Sequence, residues 1–146
     1  MIGYDDLHSL PASAFAVALG STGDKVTFRV PYRCRVEMVA AVIEGASAHA
    51  TAAIIKFDKR PTASSDTGRG DGDVGVVKKL ASTAQTGKFI YQRPATAALA
   101  VVLKPGEEVI GEVTTAQGEA LAASLFVLVR QTPEDPANEA NMVATL

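Results

Sequence analysis

Lys25–Val30, "KVTFRV", alternates without a break: Val26, Phe28 and Val30 on one side, Lys25, Thr27 and Arg29 on the other. A period of two belongs to an extended strand with one face in a core and one face in water. The next segment, Cys34–Ile43 ("CRVEMVAAVI"), starts in the same way, with Val36 and Met38 set against Arg35 and Glu37, and then turns apolar on both faces. Pro31 and Tyr32 separate the two segments and predict a kink or corner, because proline has no N–H to give to a ladder.

The pattern continues along the chain. Thr51–Lys59 sets Ile55 and Phe57 against Lys56 and Asp58. Asp73–Leu80 and Gly87–Gln92 read as shorter strands. Ala97–Lys104 runs through "KPGE" into Glu107–Thr115. Pro105 at the second position and Gly106 at the third suit a type II turn, since proline presets φ and glycine accepts the positive φ that follows; the expectation is a hairpin. Leu121–Arg130 ("LAASLFVLVR") is the most apolar segment and predicts a central strand covered on both sides. About eight strands at fairly regular spacing, without a convincing long helix, indicate an all-β sandwich. "ASAFAVAL" (Ala12–Leu19) suits either helix or strand.

The ends differ in character. The expected layout is an N-terminal arm over 1–24 with room for a first strand, a β-sandwich over 25–130 and a C-terminal arm over 131–146. The last of these carries Pro133, Pro136 and three acids before ending in "MVATL". Its apolar end has two uses: folding back on its own sandwich or docking on a neighbour.

With 146 residues the chain fits one domain, and a domain of that size buries roughly 70% of its unfolded surface, enough for a core without staples. A net charge of −2 gives no basic excess, so neither direct nucleic-acid binding nor attachment to an anionic membrane is expected. The N-terminal residues lack the positive charge of a secretory signal. The single cysteine, Cys34, cannot form an intramolecular disulfide and reads as a small strand side chain. Aromatic residues are scarce, which disfavours stacking platforms for bases or sugars.

The loudest polar stretch is Ser64–Gly75, "SSDTGRGDGDVG". Asp66, Asp71 and Asp73 miss the alternating ligand positions and closing glutamate of a helix–loop–helix calcium site. A phosphate cradle needs a lysine followed by Ser or Thr at the start of a helix; Lys78 and Lys79 come too late and sit in a strand pattern. Arg69-Gly70-Asp71 resembles the integrin tripeptide, in a chain that lacks export signals and disulfides. The reading that remains is a hydrophilic tip joining two strands, longer than a tight hairpin needs and so able to touch a partner or an ion.

Catalytic constellations find little support. His8 and His49 are the only histidines, too few for a histidine metal cluster and without an evident nucleophile beside either. Glu107 and Glu108 are neighbours and would point to opposite faces of a strand; with Asp5/Asp6 and Glu134/Asp135 they read as solvated charge. The expectation is a non-enzyme with no cofactor and no metal.

Taken together, the eight-strand order, the "LKPGEEV" segment, the long third connection and the polar arms resemble the jelly-roll decoration, or cement, proteins of tailed-bacteriophage capsids, over roughly Lys25 to Arg130. The resemblance implies a jelly-roll-like antiparallel β-sandwich that is made in the host cytoplasm and carried on the outer capsid surface of the virion. There it would bridge subunits of the major capsid protein as a homo-oligomer, with a dimer favoured over a trimer. Candidate partner-binding residues are Tyr4, Leu7, Arg69, Asp71, Met142, Val143 and Leu146. The alternative is a non-catalytic β-sandwich module that recognises a carbohydrate or receptor at a virion or cell surface.

Overall fold

A computed structural model describes residues 6–44, 51–60, 74–79, 87–96, 100–117 and 122–133. Ten extended spans occur in these residues, and none is helical: β1 (Leu7–Ser9), β2 (Val17–Ala18), β3 (Gly23–Arg29), β4 (Cys34–Glu44), β5 (Ala53–Arg60), β6 (Gly75–Lys79), β7 (Phe89–Gln92), β8 (Val102–Leu103), β9 (Glu108–Thr115) and β10 (Ala122–Gln131). One sheet has the order β1-β10-β4-β7, with β2 also on β10 and β8 also on β4; the other has the order β3-β9-β5-β6. β1 and β2 therefore share one strand position, and β7 and β8 share another, which leaves eight positions. All pairings are antiparallel.

The partners nest: β1 with β10, β3 with β9, β4 with β7, β5 with β6. First meets last, and each inner pair closes inside the one before, with successive pairs falling in alternate sheets. That is a long hairpin wrapped into two layers, the jelly-roll arrangement. Pro31 and Tyr32 mark the corner between β3 of one sheet and β4 of the other, as their sequence predicts. Residues 61–73, which hold most of the Ser64–Gly75 stretch, connect the paired strands β5 and β6 but lie outside the described residues.

The "KPGE" turn corrects an expectation. Gly106 has φ 85°, as a type II turn asks, yet the turn does not make a hairpin. It carries the chain from β8 in one sheet to β9 in the other. The Gly106 N–H donates to the Val30 carbonyl at 3.0 Å, and the Val30 N–H donates to the Glu107 carbonyl at 3.3 Å. Turn chemistry fixes four residues, and tertiary pairing decided which sheet the exit strand joined. Glu107 is also not solvated: it is buried, and its Oε2 accepts the Lys104 N–H at 2.8 Å, closing the turn from within.

Two further expectations change. Of the strand expected over Ala97–Lys104, the described residues retain only Val102–Leu103, paired to Cys34 and Arg35. The expected N-terminal arm does not stand apart from the sandwich where it is described. β1 and β2 pair with β10, β3 already begins at Gly23, and Leu10, Val17 and Leu19 are buried in the core. The apolar residues of this stretch are spaced to fill the open edge of β10.

The core lies between the sheets. Phe28 and Phe57, both fully buried, meet at 6.1 Å between ring centroids. Gly111 of β9 lies between their strands, and a Cβ there would come within 2.7 Å of Val26 and 3.0 Å of Leu125 on the opposite sheet. Its missing side chain lets the two layers close over the rings. A phenylalanine buried in this way contributes on the order of 1.5–3 kcal/mol by transfer alone.

Candidate interaction surface

In β4 the alternation changes phase. Leu128 faces Met38 and Val129 faces Val36, so Glu37 is an extra residue in β4. Such a bulge shifts the side-chain register by one. Cys34 and Val36 point into the core before it, and Val39, Ala41 and Ile43 after it. Met38, Ala40 and Val42 are thereby turned to the outer face of the first sheet. This is why the segment reads as apolar on both sides.

Their neighbours on that face follow from the register. Tyr91, Ala40 and Phe126 form one cross-strand row, and Phe89, Val42 and Ser124 form the next. Phe89 stacks on Tyr91 at 6.0 Å and on Phe126 at 6.3 Å, both tilted. Ala40 between the rings is fully buried, Met38 nearly so, and Phe126, Leu128 and Val42 are half-buried. Phe89 and Tyr91 remain 45% and 57% exposed. β10 is thus central, as expected, while its outer side is only partly covered. Tilted rings at these separations are favourable aromatic geometry. The exposed remainder is a contiguous apolar patch, the usual mark of a contact surface.

At one side of the patch the pairing of β10 is interrupted between β1 and β2. A pocket of about 260 Å³ opens there, lined by Leu10, Pro11, Ala12, Ala14, Phe15 and Phe126 among others. Phe15 at its rim is 94% exposed.

The two ends of the patch differ in charge. At one end Glu44 faces Ala122, and its Oε1 accepts the Ser124 hydroxyl at 2.9 Å. At the other, Arg35 faces Arg130, and both reach Glu37, at 2.7 and 3.5 Å. Arg93 lies over the Tyr91 ring at 5.7 Å, a cation–π contact. Arg35, Glu37 and Arg93 line a recess of about 240 Å³.

Of the residues singled out from sequence, Leu7 is brought to this face. It is 45% exposed and sits opposite Arg130. Tyr4, Arg69, Asp71, Met142, Val143 and Leu146 lie outside the described residues. The sequence reading missed Phe15, Phe89, Tyr91, Arg93 and Phe126. The signal for two of them was present: Phe89 and Tyr91 stand two apart in one strand and so share a face.

Other polar groups are placed structurally. Cys34 is buried in the core. His8 points inward opposite Val129, its Nε2 buried without a hydrogen-bond partner. Glu107 and Glu108 meet different cations, Lys59 for the first and Arg29 and Arg60 for the second. Among the described residues no three His, Cys, Asp or Glu side chains converge as a metal site.

No protein-family model, curated protein or solved structure matches the chain.

Proposed function

We propose that this chain is a capsid decoration protein: it binds the outer surface of a tailed-phage shell and stabilises it by bridging subunits of the major capsid protein. The observation that carries the reading is the aromatic face of the first sheet. A two-layer slab that leaves Phe89 and Tyr91 standing in solvent, with Phe126 beside them, is built to adhere to protein. A rigid slab also suits mechanical work. A shell under outward pressure is held by several modest contacts acting together, and linked sites gain avidity without any single tight one.

The segments assigned to the shell beside this face are the two ends of the chain, with Tyr4 and Leu7 at one and Met142, Val143 and Leu146 at the other, together with Arg69 and Asp71 in the β5–β6 connection. The test is co-sedimentation with expanded, undecorated capsids from the particle whose genome encodes the chain. The intact protein pellets with the capsid at a fixed ratio to the major capsid protein. Chains lacking 1–5 or 134–146 keep their melting temperature and lose binding. Failure of the intact protein to pellet overturns the reading, and a specific hit on a glycan array in its place transfers the assignment to a carbohydrate-binding module.

A further inference from the structure

The geometry points to the recess between Arg35, Glu37 and Arg93 as the receptor for a single carboxylate of a partner protein, carried on an extended segment whose nearby apolar side chain lies on Tyr91 and Phe89. The inference rests on the proposed function only for which protein carries that segment, a shell subunit. The recess holds about 240 Å³, and Pro94, Ala95, Thr96 and Ala100 complete its described wall. Arg35 directs two of its five N–H donors to one oxygen of Glu37, from Nε at 3.0 Å and from Nη2 at 2.7 Å. Among the described residues its other guanidinium nitrogen, Nη1, bonds to nothing, and Arg93 makes no ion pair. Arg93 is instead laid over the Tyr91 ring at 5.7 Å. Its backbone is pinned on both sides. Gln92 before it accepts the Val76 N–H of the other sheet at 2.7 Å, and Pro94 after it favours an extended residue at 93.

Charge selects the ligand. Two guanidiniums against one carboxylate leave a single positive charge in the recess, which a monoanion balances. A phosphate group carries about −1.5 to −2 near neutral pH and is opposed by Glu37. Exposure selects its carrier. The Arg35 side chain is 37% exposed and Arg93 is exposed too, so water screens both and holds a lone anion there only weakly. The neighbouring rings change that. Arg93 reaches back over Tyr91, so the recess opens directly onto the aromatic patch. Side chains two apart in an extended segment stand on one face about 7 Å apart. A segment that sets an acid between the arginines therefore lays its next side chain but one on the rings. The apolar contact drives water from the charge pair, and the charge pair fixes where the apolar side chain lands.

Nuclear magnetic resonance of the isotope-labelled full chain tests it, with a five-residue probe peptide capped at both ends, glutamate second and phenylalanine fourth among alanines. The probe shifts the Nε–H signals of Arg35 and Arg93 and the ring signals of Tyr91. Its dissociation constant is on the order of 1 mM and rises with salt. Glutamine in place of the probe's glutamate weakens binding by about tenfold, and alanine in place of its phenylalanine by about fivefold. Arg93→Gln, at an exposed position, keeps the wild-type circular dichroism and weakens the probe by about tenfold. Glu37→Gln removes the carboxylate that competes for Arg35 and strengthens the probe by about fivefold, a gain that a merely structural role for Glu37 would not produce.

No shift of these signals well above that concentration overturns the inference. So does equal binding of the glutamine probe, tighter binding of inorganic phosphate or of a short oligonucleotide, or a Glu37→Gln variant that binds no better. Shifts at Arg35 and Arg93 on concentrating the chain alone overturn it as well, since the occupant is then a second copy. Capsid co-sedimentation separates this inference from the proposed function. Undiminished pelleting of Arg93→Gln overturns the inference and leaves the function standing. Probe binding by a chain that pellets with no capsid does the reverse, and assigns the segment to another protein.

Discussion

The Gln92 side chain of one sheet accepts the backbone N–H of Val76 in the other, at 2.7 Å. This bond joins β7 to β6, the last strands of their sheets, and ties the two layers together along one edge. The layers approach closely there because Gly75 precedes Val76. A Cβ at Gly75 would lie 2.4 Å from Val39 Cγ2 and 3.3 Å from Gln92 Oε1. Valine is stiff at χ1 and cannot swing clear without leaving its rotamer. Gly75→Ala is expected to destabilise the fold by about 1–3 kcal/mol, the range of an overpacked core. Val39→Ala in the same chain should recover part of that loss. A denaturant-unfolding double-mutant cycle checks it: strict additivity would show that Gly75 and Val39 do not meet.

The turn at Gly106 makes a second prediction. Its φ of 85° is one that a side chain strains to adopt. Gly106→Ala should cost about 1–2 kcal/mol, and Gly106→Asn less, because asparagine tolerates this region better than alanine. Thermal melts of the three proteins give the order glycine, asparagine, alanine. If alanine matched glycine, the corner between the sheets would not depend on the turn.

A third prediction concerns alkali. Tyr32 packs against the core beside Cys34, and burial, followed by the nearby Cys34 charge, pushes its phenol above the ordinary value. In the window between the two values the folded chain keeps a proton that the unfolded chain has lost. The contribution of Tyr32 to stability is therefore complete below about pH 10 and is lost as the pH rises through the folded value. Tyr32→Phe should flatten the fall of unfolding free energy above about pH 10. It should also remove a late-titrating tyrosinate from the ultraviolet titration. An unchanged titration curve would place the shift elsewhere.

What the sequence disclosed was local. The alternation in β3 and β5, the corner at Pro31 and the positive φ of Gly106 follow from neighbouring residues, and each could be read before any fold was known. The partners could not. The "KPGE" turn looks the same whether its strands pair or part, and only the bonds to Val30 decide between them. The adhesive face was hidden for a related reason. Phe89 and Tyr91 are separated from Phe126 by more than thirty residues of chain, and β4, pairing with both of their strands, is what brings them together. Scarcity of aromatic residues argued against a platform, but position outweighs number when three of eight gather on one face. The bulge at Glu37 left a visible trace, the loss of alternation in "CRVEMVAAVI", whose cause needed the register.

The nesting of first strand with last also bears on how the protein is made. β9 and β10 each take an inner position in their sheets, beside β5 and β4, and they are the last of the ten to be synthesised. While the ribosome is still short of residue 122, β4 with β7 and β5 with β6 can zip up, but β1 has no neighbour. Loop-closure entropy is then met in one late step, as in other folds dominated by distant contacts. The growing polypeptide spends most of its time on the ribosome with unpaired strand edges. Its dependence on holding chaperones should be concentrated in that interval.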